Sequence, residues 1–139
     1  MRNLFLIVLT VVGMVFSNVV YSQCDSVARH CQTLLGSQYI SDGQQYRSFL
    51  TGDEVAEFEA TFFGGSKYRL CACTGGVDGN VVFRLYDMER NLIFDNNDHQ
   101  NTSDWDFEFK STMDCIIEIQ LESTSSPSGC ALLLIGFER

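Results

Sequence analysis

The sequence contains little proline, little histidine and few basic residues. Its 139 residues include one proline and two histidines, and 9 lysines and arginines stand against 18 aspartates and glutamates. Contacts to nucleic-acid phosphates need clustered Lys and Arg side chains, so the formal charge of −9 argues against a nucleic-acid-binding protein. The hydrophobic content of 45 % is too high for a disordered chain, and the length is typical of one domain.

The first residues have the three-part pattern of a secretory signal peptide. Arg2 gives a short basic start, and residues 4–16 form an apolar run without charge. Val20 and Ser22 then occupy positions −3 and −1 of a cleavage site before Gln23, where small or tolerated residues are required. The sequence therefore predicts export through a cleaved signal peptide.

This interpretation divides the chain into a signal peptide, residues 1–22, and a single mature domain, residues 23–139. We expect the mature protein to be secreted or periplasmic and to have no membrane span. One alternative is an uncleaved membrane anchor, although the apolar run is shorter than the ~20 residues that a span needs. A lipoprotein with lipidated Cys24 is the other, although Gln23 is bulky where that processing needs a small residue.

All 6 cysteines fall in the predicted mature domain, and an even number in a small exported domain indicates disulfides. Cys24 and Cys31 are seven residues apart, which places them on one stripe of a helix. Cys71 and Cys73 share one face of a predicted strand. We expect the helix to dock on that face with at least one bridge between the two pairs, and Cys31–Cys71 is the first choice.

The remaining two cysteines are not expected to bridge each other. If residues 123–129 close a tight hairpin, Cys130 lies near Leu121 and too far from Cys115 for a disulfide. The cysteines expected to form disulfides with one another are Cys24, Cys31, Cys71, Cys73, Cys115 and Cys130.

One helix is predicted, over about residues 24–36. Asp25 or Ser26 can cap its start, and Gly36 stands where a left-handed residue commonly ends a helix. Downstream, short segments that alternate between apolar and polar residues are separated by turn residues, which predicts about eight strands.

The alternation also predicts which side chains face the core. Val81, Phe83 and Leu85 point one way, as do the apolar residues of segment 115–121. Segment 130–137 is apolar on both faces, so its strand should be central or covered on both sides. We expect a mainly β protein, an antiparallel β-sandwich or jelly roll with one N-terminal helix and disulfide staples.

Five segments stand out in their order along the chain: FFGGSKYR at 62–69, VFRLYD at 82–87, NLIF at 91–94, WDF at 105–107 and GCALLLIGF at 129–137. Together they resemble the bacterial pre-peptidase C-terminal domain, a β-sandwich appended to secreted proteases, over about residues 53–137. The chain is also similar to small exported bacterial proteins of unknown role. The resemblance implies a sandwich fold and a non-catalytic module for secretion, stability or binding.

The richest cluster of oxygen ligands lies in the loop of residues 95–106. An EF-hand register fails there, because Gln100 stands where glycine is required and Asp106 where a bidentate glutamate is usual. Asn and Asp in such turns tend to bond their own backbone. We therefore expect the carboxylates to diverge and the protein to need no cofactor, with calcium bound by Asp95, Asp98 and Asp104 as the alternative.

The candidate catalytic residues do not form a convincing set. His99 with Ser103 and Asp98 supplies the residue types of a triad, and His30 adjoins a cysteine. Cys71 and Cys73 are separated by one residue, whereas redox pairs usually have two intervening residues. We expect no catalytic residue and no metal ligand.

The sequence is thus interpreted as a non-catalytic exported β-sandwich, a monomer that binds an unknown protein or glycan at the cell envelope. Trp105 shares a face with Phe107 and Phe109, so it is expected in the core rather than in a sugar-stacking platform. Two alternatives stay open: a carbohydrate-binding module, and a cell-envelope hydrolase that uses the acidic loop of residues 95–106.

Overall fold

The computed structural model describes residue 1 and residues 24–75, 81–122 and 128–139. The predicted signal peptide with its cleavage site, a turn predicted at residues 78–80 and most of the turn predicted at residues 123–129 lie outside these ranges; the last two residues of that second turn belong to a strand. Within them the chain forms helix α1, residues 24–35, and nine strands. The strands are β1 (Tyr39–Ser41), β2 (Tyr46–Thr51), β3 (Val55–Phe62), β4 (Ser66–Thr74), β5 (Val81–Asp87), β6 (Leu92–Asp95), β7 (Asp104–Phe109), β8 (Met113–Leu121) and β9 (Ser128–Glu138).

The strands form two antiparallel sheets, which confirms the predicted β-sandwich. In sheet A, β9 is central: it pairs with β4 on one side, and with β1 and β2 on the other, while β7 follows β4. Sheet B has the order β3-β8-β5-β6. Because β8 and β9 belong to opposite sheets, the chain crosses between the sheets after β8, and these two strands form no hairpin.

The main core lies between the sheets and follows the predicted alternation. Phe83 and Leu85 of β5 are fully buried against Ile117 and Ile119 of β8. At one end of this core the rings of Phe62 and Phe109 stack with their centroids 4.5 Å apart. Fully burying one such side chain is worth about 1.5–3 kcal/mol, so these positions dominate the stability of the sandwich.

A second core lies between α1 and the outer face of sheet A. Alternate residues of β9 face opposite ways: Ala131, Leu133 and Ile135 face sheet B, and Leu132 and Leu134 face the helix. The prediction that the last strand is covered on both sides is therefore confirmed. Among the described residues, no helix is long and apolar enough to cross a membrane.

Two disulfides join the helix to the sheet beneath it. Cys24 bridges Cys130 in β9, and Cys31 bridges Cys73 in β4, with Cα atoms 5.4 and 5.7 Å apart. The prediction that a bridge joins the helical pair to the strand pair is confirmed. The bridges link residues 106 and 42 positions apart. Because each bridge lowers the entropy of the unfolded chain, it stabilises the fold by about 4–5 kcal/mol in the loop-entropy model.

The expectation that all six cysteines form disulfides is wrong for Cys71 and Cys115, which are buried free thiols. The first choice of a Cys31–Cys71 bridge is also wrong, since Cys31 pairs with Cys73. Cys71 lies under α1 beside the bridge, whereas Cys115 faces the core between the sheets. Sheet A thus lies between the two thiols, so they cannot form a disulfide with each other.

Helix α1 covers the residues that were predicted to be helical, but its start is not capped as expected. Residue 24 is already helical, so Asp25 and Ser26 lie inside the helix and the prediction that one of them caps it is wrong. Gly36 has a φ of +74°, as predicted for a left-handed helix end. A Cβ on Gly136 would lie 2.5 Å from Cδ1 of Leu35, so this glycine lets the helix end pack against β9.

Candidate binding site

A groove of about 740 Å³ opens at one corner of the sandwich, between the two sheets. The end of β3, the start of β4, the end of β9 and the bend between β1 and β2 meet there. The residues that line it are Asp42, Gln44, Tyr46, Glu59, Ala60, Thr61, Phe62, Phe63, Ser66, Tyr68, Ile135, Phe137 and Glu138. We call this feature the corner groove.

The floor of the corner groove is apolar and continuous with the main core. Phe62 and Tyr68 pack edge to face with ring centroids 5.0 Å apart, and both belong to that core. The Tyr68 hydroxyl accepts a 3.0 Å hydrogen bond from the backbone N–H of Phe63, which fixes the turn after β3. Phe63 and Phe137 extend the apolar surface outward with 61 % and 39 % of their area exposed. Such aromatic surface favours a partner that covers it.

The rim of the corner groove is acidic. Asp42, Glu59 and Glu138 are its acidic lining residues, and no Lys, Arg or His is among the described residues that line the groove. The Tyr46 hydroxyl donates a 3.5 Å hydrogen bond to Asp42, and burial together with this carboxylate raises the pKa of Tyr46. Lys67 lies just outside, with its Nζ 3.7 Å from Glu138. The rim therefore favours a positively charged group.

One wall of the corner groove is the edge of a strand. Four consecutive residues of β3 line it, from Glu59 to Phe62. Successive side chains of a strand point to opposite faces, so four in a row can line one groove only if the groove runs along the backbone edge. In the described part of the chain, β3 pairs with β8 alone and its other edge is free.

The predicted aromatic core position of Trp105 is wrong. Its indole packs against Phe94 and His99, with ring centroids 5.0 and 4.2 Å away, and it is 36 % exposed. The physical reason is that Trp105 lies on β7, the edge strand of sheet A, and faces β6, the edge strand of sheet B. Its side chain therefore closes the side of the sandwich instead of filling its centre.

The candidate triad residues are placed by packing and backbone bonds. The imidazole of His99 stacks on Phe94 with an interplanar angle of 9° and lies against Trp105. Ser103 uses its backbone carbonyl to accept a 2.8 Å hydrogen bond from Ala72 in β4. Asp98 lies in the 3₁₀ helix Asn96–His99 that follows β6. His30 is exposed on α1. The imidazole of His99 therefore packs between aromatic rings.

The carboxylates of the acidic loop fall into two groups that have different partners. Asp95 in sheet B accepts hydrogen bonds from the Asn97 backbone N–H and from Arg84, at 2.9 and 2.7 Å. In sheet A, Asp104 and Asp106 both lie beside Arg69. Arg69 lowers the pKa of Asp106, whereas burial raises the pKa of Asp104. Within the described ranges no group of three His, Cys, Asp or Glu side chains is placed to hold a metal ion.

Sequence reasoning missed the corner groove because its residues come from four separate segments. Strand alternation identifies Glu59 only as a polar strand position, and Phe137 only as part of the apolar segment 130–137. A usable signal was present: Phe63 adds a second aromatic residue where strand alternation ends, directly before two glycines. Such a residue lies outside the alternation that fills the core.

Comparisons with known proteins identify the fold and no family. No family model matches the chain, and no curated protein matches it. Among solved structures, PliG of Aeromonas hydrophila, a periplasmic lysozyme inhibitor of g-type lysozyme, is 13 % identical with a TM-score of 0.53. The similarity covers 68 % of this chain and 85 % of PliG. At this identity the likeness shows a shared fold alone.

Two further solved structures are more distant. A de novo designed double-stranded β-helix is 12 % identical, with a TM-score of 0.35 over 68 % of this chain and 99 % of the design. The acidic stable capsid of Helicobacter pylori bacteriophage KHP30 is 11 % identical, with a TM-score of 0.29 over 68 % of this chain and 93 % of the capsid chain. Neither carries an argument about this protein.

Proposed function

We propose that this chain is a non-catalytic exported protein that binds another protein through the corner groove. The observation that carries the proposal is the combination of an open aromatic floor with three acidic residues in the lining of the groove. The chemistry fits an aromatic or aliphatic side chain flanked by Lys or Arg. Burial of the apolar part supplies affinity, and the charged rim selects and orients the partner.

Three further observations support this function. PliG, which shares the fold, is an inhibitor and so a protein that acts by binding. The two disulfides fit an oxidising compartment outside the cytosol. The resemblance of the sequence to the pre-peptidase C-terminal domain also implies a non-catalytic module for secretion, stability or binding. We therefore propose that the protein works in the periplasm or outside the cell.

The carbohydrate-binding alternative rests on the opposite edge of the sandwich. Trp105 is partly exposed there, and a shallow depression of about 360 Å³ is lined by Thr102, Asp104, Trp105 and Asp106. A sugar ring would stack on the indole and bond to the carboxylates. Chemical-shift changes at Trp105, rather than at the corner groove, would favour this alternative.

The test uses NMR on the isotope-labelled mature chain with the tripeptide acetyl-Lys-Phe-Lys-amide. We expect shift changes centred on Phe63, Tyr68 and Phe137, because the phenyl ring enters the groove while the lysines meet its rim. Acetyl-Glu-Phe-Glu-amide, which has the same ring and opposite charge, should produce much smaller changes. Absence of any groove response to the lysine peptide would overturn the proposal.

A pair of variants distinguishes binding in the groove from a general electrostatic attraction of the peptide. Glu59→Lys reverses one rim charge and should abolish most of the response. Glu89→Lys makes the same charge change at an exposed turn after β5, outside the groove, and should leave the response intact. Equal loss in both variants would show that only net charge attracts the peptide.

A further inference from the structure

We propose that the partner of the corner groove is an extended segment of another protein that adds a strand to sheet B along the free edge of β3. This inference rests on the proposed function and specifies how the partner is held. Main-chain hydrogen bonds to β3 would supply part of the affinity, and the groove would receive a side chain of the added strand.

The free edge of β3 is the longest regular edge in the described sheets. Its residues pair one for one with β8 from Val55 opposite Gln120 to Phe62 opposite Met113, without a register shift. The other edge strands are shorter: β1 has 3 residues, β6 has 4, and β2 and β7 have 6 each. The register between β5 and β6 also shifts, which makes that edge irregular.

The inner face of β3 is incompletely covered. Ala56, Phe58 and Ala60 point toward the main core but remain only partly buried. An added strand would place its inward side chains next to them, since directly opposite residues have Cβ atoms about 4.5–5.5 Å apart. Apolar residues at alternate positions of the partner would complete this edge of the core.

The outer face of β3 selects the charge of the partner. Glu57 is held by Arg90, whose Nη2 lies 2.9 Å from its carboxylate, whereas exposed Glu59 forms no ion pair with another described residue. A basic residue on the outer face of the added strand would meet Glu59. A second copy of β3 fits poorly, because its own glutamates would lie against Glu57 and Glu59. The partner is therefore a strand that alternates apolar and basic residues.

The probe is an eight-residue peptide that alternates valine and lysine, capped at both ends. We expect it to slow amide hydrogen exchange along β3 at saturation by at least about tenfold, because newly bonded N–H groups exchange only on opening. A peptide with the same composition but with the four lysines and four valines in separate blocks should give little protection.

Backbone methylation tests strand addition without altering the protein. Two peptides carry N-methyl groups on alternate residues, one on the valines and one on the lysines, so that each blocks one edge of the peptide strand. If a strand is added, at least one of these peptides must lose the protection of β3. Equal protection by both methylated peptides and the parent would overturn the inference.

Glu59→Lys supplies a matched protein variant, and Glu89→Lys again serves as its control. The first should weaken binding of the alternating peptide about fivefold, as expected for one cross-strand charge pair, and the second should leave binding unchanged. If acetyl-Lys-Phe-Lys-amide still binds the groove while the alternating peptide leaves β3 unprotected, strand addition is wrong and the proposed function stands. If neither peptide binds, both fail.

Discussion

Arg69 and Asp106 face each other across β4 and β7 and form two hydrogen bonds, of 2.6 Å from Nε and 2.8 Å from Nη2. The same guanidinium donates weaker bonds to the backbone carbonyls of Leu34 and Leu35 at the end of α1. It also lies 4.4 Å from the centre of the Tyr39 ring. One side chain therefore joins the edge of sheet A to the end of the helix.

Replacing Arg69 should loosen this junction. We expect Arg69→Met to lower the free energy of unfolding by about 1–2 kcal/mol, a value reduced for the partial exposure of the ion pair. Arg69→Lys keeps the charge but loses the two-pronged geometry, so it should recover only part of the loss. Urea unfolding measures the difference. Arg90→Met removes ion pairs of a guanidinium that is more exposed than that of Arg69, and an equal loss in that variant would contradict the special role of Arg69.

Removing the charge of Asp104 should stabilise the folded protein at neutral pH. Burial raises the pKa of Asp104 in the folded protein. A group with a raised folded pKa contributes stability below its unfolded pKa, and this contribution is lost as the pH rises through the folded value. Asp104→Asn should therefore stabilise at about pH 7 and change little at about pH 2, where the carboxyl is neutral in both states.

Asp106 provides the opposite case for the same experiment. Arg69 lowers its pKa, so the carboxylate stabilises the fold above its unfolded pKa and that contribution is lost as the pH falls through the folded value. Asp106→Asn should lower the free energy of unfolding at neutral pH and change it little at about pH 2. Urea unfolding of both variants at the two pH values checks the signs. If both variants shift the same way at neutral pH, the assignment is wrong.

The two free thiols should be unreactive in the native protein. Burial raises the pKa of Cys71 to about 12 and that of Cys115 to about 11, so little thiolate forms at neutral pH. We expect a thiol reagent to find no reactive cysteine in the native chain and two after unfolding without reductant. Peptide mapping should recover Cys24–Cys130 and Cys31–Cys73. A Cys31–Cys71 peptide would contradict the structure.

Asn96 should be among the polar residues whose loss is most destabilising. It is fully buried, accepts a hydrogen bond from the Phe83 N–H, and donates to the carbonyls of Val81 and Thr102 at 2.8 and 3.1 Å. Asn96→Ala would leave these groups without partners, so we expect a loss of about 2–4 kcal/mol in urea unfolding. Exposed Asn97→Ala should lose less than about 0.5 kcal/mol. Similar losses would show that the side-chain bonds matter little.

The sequence was sufficient for features that depend on local alternation. Period-two patterns identified β5 and β8, and the unbroken apolar run of β9 indicated a strand buried on both faces. Spacing alone could not decide between Cys71 and Cys73 as the partner of Cys31, because residues two apart share a face. Cys115 was assigned to a bridge from the even count, although its alternation with Ile117 already places it in the core.

The groove and the position of Trp105 depend on long-range placement. Alternation says which face of β7 Trp105 occupies, but only the strand order shows that this face lies at the side of the sandwich. The groove likewise has Asp42, Glu59 and Glu138 among its lining residues, which are far apart in sequence. Single-strand patterns carry no information about such neighbours.

The central place of β9 makes folding of this chain dependent on its order of synthesis. β1, β2 and β4 all pair with β9, and Cys24 needs Cys130, yet β9 is made after every other described strand. Sheet A therefore has no central strand while the preceding segments emerge from the ribosome. Sheet A and the Cys24–Cys130 disulfide can be completed only once residues 128–138 have been made.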